Sequence, residues 1–534
     1  MEPIEIRTAS GIKQAIHFGA TERPLFGFYH PPKPGPWRAV GVVLCRPIGT
    51  DQTRSDRVYR HLAERLAAAG FACLRFDLFG TGDSGGDERT ESLVRAWLDD
   101  IALAAAELRA RSGARTIALF GLRLGAMLAF VHAAERGDVD ALVLWSPWVS
   151  GAKFVDEVTK LHKLYLSLDP QMAASFPSRA DGEEALGLFL PRRLIEDLSR
   201  IDLLRTTRRP ARRTLLIDGG NVAGRDALMS HLGELGAEPE LRSHMGHKFL
   251  ITISHGALLP DEVIDSIVGW LRDVYPATSE APRPECRASG PAPAGERSTR
   301  IGAEQPLFGI FTPADPLRAR PGRPPILISN AGSVNRVGPH RLHVKMARRW
   351  AELGFDVLRI DLPGIGDSPV GPGARENLTY PPDALEGLDK AIRALGSERV
   401  IVVGLCSGGD YAFQVGAREP SVAAACMLNP RTFCVLDLAA VDSADDAPPS
   451  TPVGEVPRTL RRMADRGVDT LLVVSRNDPG VAYVDAHAGE AMRSLASVPG
   501  FRRIDFGSAD HTFTPIGAQE GLTEVVVEHL LSRY

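Results

Sequence analysis

Short runs of β-branched and other apolar residues alternate along the chain with stretches whose apolar side chains recur at helical spacing. The run Arg399–Val403 is apolar after its first residue, and the stretch Asp383–Leu395 places leucine and isoleucine side chains on one helical face. Apolar runs at 325–329, 356–360 and 470–474 and a helical pattern over 340–353 extend this alternation. Strands that are apolar on both faces, set between amphipathic helices, are typical of a mostly parallel sheet covered on both sides. The pattern predicts a doubly wound α/β architecture in each half of the chain.

Three motifs occur twice, at nearly constant separation. They are PLFG at 24–27 and 306–309, LRFDLFGTGDS at 74–84 matched by LRIDLPGIGDS at 358–368, and GLRLG at 121–125 matched by GLCSG at 404–408. The starts of the pairs lie 282, 284 and 283 positions apart. So long a period excludes a solenoid and indicates two whole domains in tandem.

A segment rich in Pro, Ala, Gly and Ser separates the two copies. Residues 276–298 lack apolar periodicity and are predicted to be a linker. The sequence therefore predicts a first domain over 1–275 and a second domain over 299–534.

The composition narrows the class of protein. Hydrophobic residues make up 44% and charged residues 24% of the 534 positions, which is ordinary for a globular chain. The formal net charge of −4 lacks the basic excess of a nucleic-acid-binding protein, so we expect no nucleic-acid partner. Six cysteines form neither a disulfide framework nor a CxxC zinc site, which favours a reducing, cytoplasmic compartment.

Neither a secretory leader nor a membrane span is expected. The first 14 residues lack a basic start followed by an apolar run, and no stretch of about 18 apolar residues occurs. The chain has 54 Arg against 8 Lys, a bias that favours a bacterial source with a GC-rich genome.

The chemistry is predicted to lie in a tight turn of the second copy. The apolar run that ends at Val403 leads into Gly404-Leu405-Cys406-Ser407-Gly408, and a helical stretch follows. This is the G-x-Nuc-x-G pattern of a nucleophile elbow, in which the residues two before and two after the nucleophile must be small. Gly404 and Gly408 meet that demand for Cys406, whereas Leu405 would stand two before Ser407. We therefore expect Cys406 to be the nucleophile, favoured as a thiolate by the helix N-terminus, with the backbone N–H of Ser407 as an oxyanion donor.

A base and an orienting acid follow in the order that such an elbow requires. Asp478 comes just after the apolar run 470–474, and His511 follows the last short predicted strand, 503–506. We expect His511 to be the general base and Asp478 to orient it. Asp510 is a competing acid, although adjacent side chains in an extended loop tend to point apart.

The loop after the run 325–329 is expected to supply the second oxyanion donor, the N–H of Ala331. Asn335, Arg336, His340 and Arg341 crowd the same mouth. These side chains are candidates to bind an anionic or polar part of a substrate. They are equally compatible with the solvated, charged start of a helix.

Both copies resemble the α/β-hydrolase fold, in its serine-aminopeptidase-like branch, over roughly 23–275 and 300–534. The motif D-x-x-G-x-G-x-S and the elbow are the most specific marks of this resemblance. The loop Asn-Ala-Gly…Gly-Pro-His-Arg is also similar to that of bacterial hydrolases associated with polysaccharide export and exosortase systems. The second copy departs from the usual pattern because Cys stands at the nucleophile position. Dienelactone hydrolases and polyhydroxyalkanoate synthases share this feature, so the resemblance implies acyl-enzyme chemistry, with thioesters among the candidate substrates.

The first copy is predicted to be degenerate. Alignment by the repeat places Arg123 at the nucleophile position and Val222 at the acid position, and only His247 is retained. Asp218 is a candidate for a relocated acid, but it has no nucleophile to serve. The first domain then acts as a scaffold, a lid or a docking surface. By the resemblance, the amphipathic segment 151–205 is a cap over the pocket of either domain.

The sequence favours hydrolysis of an ester or thioester through a Cys-His-Asp triad. Two alternatives stay open: an acyltransferase or cyclase that passes the acyl group to an alcohol, amine or thiol, and a non-catalytic docking protein. A small-molecule or carrier-bound acyl substrate is expected, without a metal or organic cofactor. The sequence is also compatible with a homodimer.

Overall fold

The computed structural model of the chain divides into two compact units. The first comprises Met1–Leu164 with Ser178–Pro293, and the second comprises Tyr165–Pro177 with Ala294–Tyr534. The structure describes residues 3–8, 11–35, 37–90, 92–177, 179–220, 223–244, 258–279, 284–285, 287–371, 373–433, 455–476, 478 and 480–534. The predicted domain limits, linker and cap stay predictions, although part of the cap segment, Tyr165–Pro177, groups with the second unit.

The first half of the chain forms a sheet with strand order β1-β2-β3-β5-β4-β6-β7-β10-β11 among the described residues. The outer strands on one side pair antiparallel, and the pairs from β5 to β11 are parallel. The strands are β1 Ile4–Thr8, β2 Gly11–Ala20, β3 Arg23–His30, β4 Val40–Cys45, β5 Ala72–Phe76, β6 Thr116–Leu122, β7 Ala141–Trp145, the hairpin β8 Gly182–Ala185 and β9 Leu188–Pro191, β10 Arg213–Asp218 and β11 Glu238–Ser243. The helices are α1 Gly49–Ala68, α2 Leu93–Ser112, α3 Leu124–Arg136, α4 Gly151–Ser167, α5 Pro170–Ser175, α6 Arg192–Ser199, α7 Arg225–Glu234 and α8 Asp261–Val274.

The second half repeats this plan with strand order β12-β13-β15-β14-β16-β17-β18-β19. The strands are β12 Arg297–Ile301, β13 Leu307–Thr312, β14 Ile326–Ile328, β15 Val357–Asp361, β16 Val400–Leu405, β17 Val422–Leu428, β18 Asp469–Ser475 and β19 Phe501–Phe506. The helices are α9 Leu342–Glu352, α10 Ala384–Ala394, α11 Ser407–Arg418, α12 Glu455–Asp465, α13 Gly480–Leu495 and α14 Ile516–Arg533. Parallel pairing runs from β15 through β14 to β19, so the carboxyl ends of these strands meet at one edge.

The central strands are buried on both faces, as the continuous apolar runs predict. All six residues of β16 are buried. Val402 packs into the cluster on one side of the sheet, and Val403 packs into the cluster on the other side. The predicted fold class, two mostly parallel, doubly wound sheets flanked by helices, is confirmed.

The D-x-x-G-x-G-D-S motif builds the same turn in both halves. In the second half, the Asp361 carboxylate accepts a hydrogen bond of 2.9 Å from the Asp367 N–H, and the Ser368 hydroxyl accepts one of 2.9 Å from the Phe308 N–H. A Cβ at Gly366 would lie 2.4 Å from the Asp361 carboxylate, so only glycine fits there. The first half forms the matching bonds with Asp77, Asp83, Ser84 and Phe26. The most specific part of the repeat is therefore a structural turn.

Candidate active site

Cys406 lies in the turn between β16 and α11 with a strained backbone, φ 60° and ψ −124°. A Cβ at Gly404 would lie 1.9 Å from the carbonyl oxygen of Gly408, and one at Gly408 would lie 2.6 Å from the carbonyl oxygen of Asn330. Side chains are therefore excluded on both sides of the turn, as the elbow pattern requires. The turn presents Cys406, 9% exposed, at the carboxyl edge of the sheet.

Ser407 ties the elbow to the neighbouring loop. Its side chain is fully buried, and its hydroxyl accepts a hydrogen bond of 2.9 Å from the Gly332 N–H. That bond brings the Ala331–Gly332 backbone against the elbow. The backbone N–H of Ser407 is the first of α11, and the first N–H groups of a helix have no partner within it. The two backbone groups predicted to be oxyanion donors thus come from adjoining segments.

Asp478 and His511 meet at the same edge. Nδ1 of His511 is hydrogen-bonded to Oδ2 of Asp478, whose side chain is 2% exposed. The other carboxylate oxygen of Asp478 accepts a hydrogen bond of 2.6 Å from the Gly480 N–H. Asp478 is therefore fixed from two directions, and it holds the orientation of the imidazole ring.

The His511 ring also interacts with Cys406. Nε2 has no partner of good hydrogen-bond geometry among the described residues, but the ring interacts with the Cys406 thiol. Burial lowers the pKa of His511, but the bond to Asp478 and the interactions with Cys406 outweigh burial and raise the pKa to about 10. A ring protonated at neutral pH can give its proton to a leaving group.

The competing acid, Asp510, holds the loop that carries His511. Its carboxylate accepts hydrogen bonds of 2.6 Å from the N–H of Thr514 and 2.7 Å from its hydroxyl. The Thr514 hydroxyl also lies 3.2 Å from Nε2 of His340. In the second unit, the hydroxyl of Tyr165 adjoins Asp510 and Thr514; burial, then the charge of Asp510, raises the pKa of this phenol. His340 and Tyr165 therefore lie beside the histidine loop.

The remaining residues predicted to bind substrate have different surroundings. Arg336 is 3% exposed, and its guanidinium pairs with Asp361 at 2.7 Å and with Asp367 at 3.1 Å. Asn335 accepts a turn hydrogen bond of 3.1 Å from the Val337 N–H. Arg341 precedes α9, half-buried, with φ 64°. The Arg336 guanidinium is therefore part of the turn that recurs in both halves.

Asn429, which follows β17, was missed by the sequence analysis. Its amide donates hydrogen bonds of 3.0 Å to the His511 carbonyl and 3.1 Å to the Ser475 hydroxyl, and its oxygen accepts one of 2.7 Å from the Ser475 N–H. One side chain thus joins the end of β18, which precedes Asp478, to the histidine loop. The available signal was its place, one residue beyond an apolar run and before a proline.

A second missed feature is the buried pair of Asp410 and Tyr380 behind the elbow. The Tyr380 hydroxyl donates a hydrogen bond of 2.7 Å to Asp410, which also accepts from the backbone N–H groups of Thr432 and Phe433. Burial raises the pKa of Tyr380, and the charges of Asp410 and Cys406 raise it further. The phenol is therefore within electrostatic reach of the thiol and stays neutral.

The first unit keeps the elbow without its chemistry. Arg123 stands at the turn between β6 and α3 with φ 53° and ψ −118°, close to the values at Cys406. A guanidinium is permanently charged and cannot act as an acyl nucleophile. Asp218, the candidate relocated acid, is paired with Arg225 at 2.5 Å. Val222 and His247 lie outside the described residues.

The described residues contain neither a membrane-spanning helix nor a metal-binding cluster. No helix among them has the length and apolar character to cross a membrane. No group of three or more His, Cys, Asp or Glu side chains there is arranged to hold a metal ion.

Comparison with known proteins identifies the two halves separately. Residues 53–206 match the family model described as serine aminopeptidase, S33, and residues 324–461 match that described as alpha/beta hydrolase fold. A search among curated proteins found no match.

Solved structures similar to the chain each cover about half of it. Est1E from Butyrivibrio proteoclasticus, bound to ferulic acid, is 17% identical and covers 48% of this chain and 98% of its own, with a TM-score of 0.36. A thermostable carboxyl esterase from Bacillus coagulans is 15% identical and covers 49% and 98%, with a TM-score of 0.35. XC6422 from Xanthomonas campestris, a serine hydrolase without a lid, is 18% identical and covers 52% and 97%, with a TM-score of 0.32.

The fold and the two family matches define the class: this chain is an α/β-hydrolase-fold protein with two such domains in tandem. The serine aminopeptidase model matches within its first unit, where Arg123 stands at the turn that corresponds to Cys406.

Proposed function

We propose that the second unit hydrolyses an ester or thioester through a covalent acyl-enzyme on Cys406. The thiolate attacks the acyl carbonyl carbon, so that an S–C bond forms and the carbonyl oxygen becomes an oxyanion. The N–H groups of Ser407 and Ala331 stabilise that oxyanion, a role in which one donor typically contributes about 10²–10³ in rate. Collapse of the intermediate breaks the bond to the leaving group, which takes the proton from Nε2 of His511.

The second half of the cycle returns the enzyme to its starting state. Nε2 of His511, now neutral, takes a proton from water, whose oxygen attacks the thioester carbonyl. The S–C bond then breaks, the carboxylic acid leaves, and the thiolate and the protonated ring are restored. Asp478 keeps Nδ1 protonated throughout and stabilises the cation.

The interaction of the His511 ring with Cys406, together with the bond from Asp478 to Nδ1, carries this proposal. The other buried cysteines among the described residues are Cys45, Cys73 and Cys426. Burial raises the pKa of Cys426, which lies within β17, and so keeps that thiol protonated and inert. The substrate class is a small-molecule or carrier-bound acyl group.

The test is intact-protein mass spectrometry after mixing the full chain with acyl thioesters and activated esters. An adduct of acyl mass is expected on the wild type and on Cys426→Ala, the matched control, and not on Cys406→Ala. Parallel analysis of free products follows the decay of the adduct. Release of the acid in water alone supports hydrolysis.

Three results would contradict the proposal. Turnover by Cys406→Ala at the wild-type rate would exclude the acyl-enzyme. Decay that needs an added alcohol, amine or thiol would instead identify an acyltransferase. No adduct and no turnover across the panel would favour a docking protein.

A further inference from the structure

A cavity of about 520 Å³ opens in the first unit at the carboxyl ends of β6 and β7. It occupies the place at which the repeat would hold a catalytic site. Pockets that take small organic ligands measure about 300–1,000 Å³, so this cavity is of a suitable size. The residues that line it and carry the argument are Asp51, Arg123, Ser146, Trp148, Lys153 and Glu157.

Arg123 is held as a fixed cation in the wall of this cavity. The strained elbow sets its direction, and its guanidinium stacks over the Trp148 ring with 4.5 Å to the centroid. Its ion pairs are long, 3.2 Å to Asp51 and 3.5 Å to Glu157. Those carboxylates are 31% and 50% exposed, so solvent screens both pairs. A stronger anionic partner can therefore displace them.

Two buried polar atoms of the same wall have no hydrogen-bond partner within the described residues. They are the hydroxyl oxygen of Ser146, a residue 7% exposed, and the indole nitrogen of Trp148. Buried polar groups in folded proteins are rarely left without a partner, and each such group needs an explanation. The indole N–H and the guanidinium donate only, and the hydroxyl can also donate. Among the described residues, Ser146 and Trp148 therefore lack an acceptor that a ligand could supply.

We propose that the first unit binds a small organic carboxylate in this cavity. The ligand's carboxylate would pair with the Arg123 guanidinium and accept hydrogen bonds from Ser146 and Trp148, and its organic part would occupy the remaining volume. Arginine forms strong, charge-assisted hydrogen bonds when its guanidinium pairs with a carboxylate. The replacement of a nucleophile by arginine thus converts a reaction site into a binding site. This inference does not rest on the function proposed for the second unit.

The test is calorimetric titration of the full chain with benzoate, 3-phenylpropionate and octanoate, each beside its primary amide. At least one acid is expected to bind while its amide does not. Arg123→Gln should weaken the binding of that acid about tenfold or more, because a charge-assisted pair is lost. Trp148→Phe keeps an aromatic face for the guanidinium but removes the N–H with part of the ring, and should weaken binding a few-fold. Cys406→Ala should bind as the wild type does, which locates the site in the first unit.

Unfolding curves of each variant separate lost binding from lost structure. Arg123 is 21% exposed on its side chain, and its partners are screened, so Arg123→Gln should unfold as the wild type does. The proposal would be overturned if no acid binds more tightly than about 10 mM, if an amide binds as tightly as its acid, or if a folded Arg123→Gln keeps wild-type affinity. Binding that disappears in Cys406→Ala would place the ligand in the second unit and would overturn it too.

Discussion

Arg123 and Cys406 occupy the same turn of the two repeats, and their backbone angles differ by only a few degrees: φ 53° and ψ −118° against φ 60° and ψ −124°. Non-glycine residues in such conformations cost about 1–3 kcal/mol each. In the second unit that strain presents a thiol to His511. In the first unit it is retained although arginine has no nucleophile to present.

The difference shows that the elbow is maintained by packing and not by catalysis. A Cβ at Gly121 would lie 2.5 Å from the Cα of Ala126, and one at Gly125 would lie 2.3 Å from the carbonyl oxygen of Cys45. Strand, turn and helix approach so closely that the chain has no relaxed alternative. The scaffold therefore survives loss of the chemistry, and the side chain at the turn decides what the domain does.

Substitution at the two turn positions should have the largest effect on turnover. Cys406→Ala is expected to lower turnover by about 10⁴-fold or more, since the covalent route is lost. Arg123→Cys in that background should not restore turnover, because the repeat places Val222 at the position of the acid. Hydrolysis of the best substrate of the panel measures both variants. Recovery of activity in the double variant would show that the first unit lacks only its nucleophile.

The acid of the triad should give the next effect. Asp478→Asn is expected to lower kcat/KM by about 10²–10⁴-fold, because the ring loses its orienting partner and the stabilisation of its cation. The alkaline limb of the pH dependence of kcat/KM should also move. With the pKa of His511 raised to about 10, the acid form is lost only as the pH rises through that value. Asp478→Asn removes an interaction that raises the pKa, so the limb should shift to lower pH.

Asp218→Asn is the matched control for this variant. Asp218 is the last residue of β10, the corresponding strand of the first unit, and pairs with Arg225 at 2.5 Å. It should leave the pH profile unchanged. An unshifted limb in Asp478→Asn would show that another group sets the pKa of the ring.

The sequence analysis succeeded where a pattern is local. Alternation of apolar runs predicts the sheets, and the two glycines that flank Cys406 predict a turn in which Gly404 is crowded by Gly408, four residues away. It failed where a contact joins distant segments. Arg336 was expected at the mouth of the site, but its ion pairs with Asp361 and Asp367 depend on how β15 and the following turn pack. The clamp made by Asn429 has no local pattern, since its partners lie 46 and 82 positions away.

Substitution of the elbow glycines should have a smaller effect, a difference in the free energy of unfolding between the two units. Gly404→Ala brings its Cβ to 1.9 Å from a carbonyl oxygen, whereas Gly121→Ala meets its nearest atom at 2.5 Å. We expect Gly404→Ala to lower the free energy of unfolding by about 2 kcal/mol or more, and Gly121→Ala to lower it by less. Urea unfolding of the full chain measures both.

The control is Gly269→Ala, in α8, where an added Cβ meets nothing within 4 Å. Alanine forms helix better than glycine, so this variant should be neutral or gain up to about 1 kcal/mol. Equal unfolding curves for all three variants would refute the claim that backbone crowding maintains the elbows.

The smallest effect is expected from substitution of Asn429 and of Ser146, its counterpart in the repeat. Both follow the strand after the elbow helix, and both have positive φ, 42° and 44°. Asn429 makes three hydrogen bonds of 2.7–3.1 Å, whereas the Ser146 hydroxyl makes none within the described residues. Asn429→Ala should therefore cost about 1–3 kcal/mol of stability and about tenfold in turnover, because the histidine loop loses its tie. Ser146→Ala should change stability by less than about 0.5 kcal/mol. If the two variants destabilise equally, the Ser146 hydroxyl has a partner within the folded chain, and the inference that it awaits a ligand fails with it.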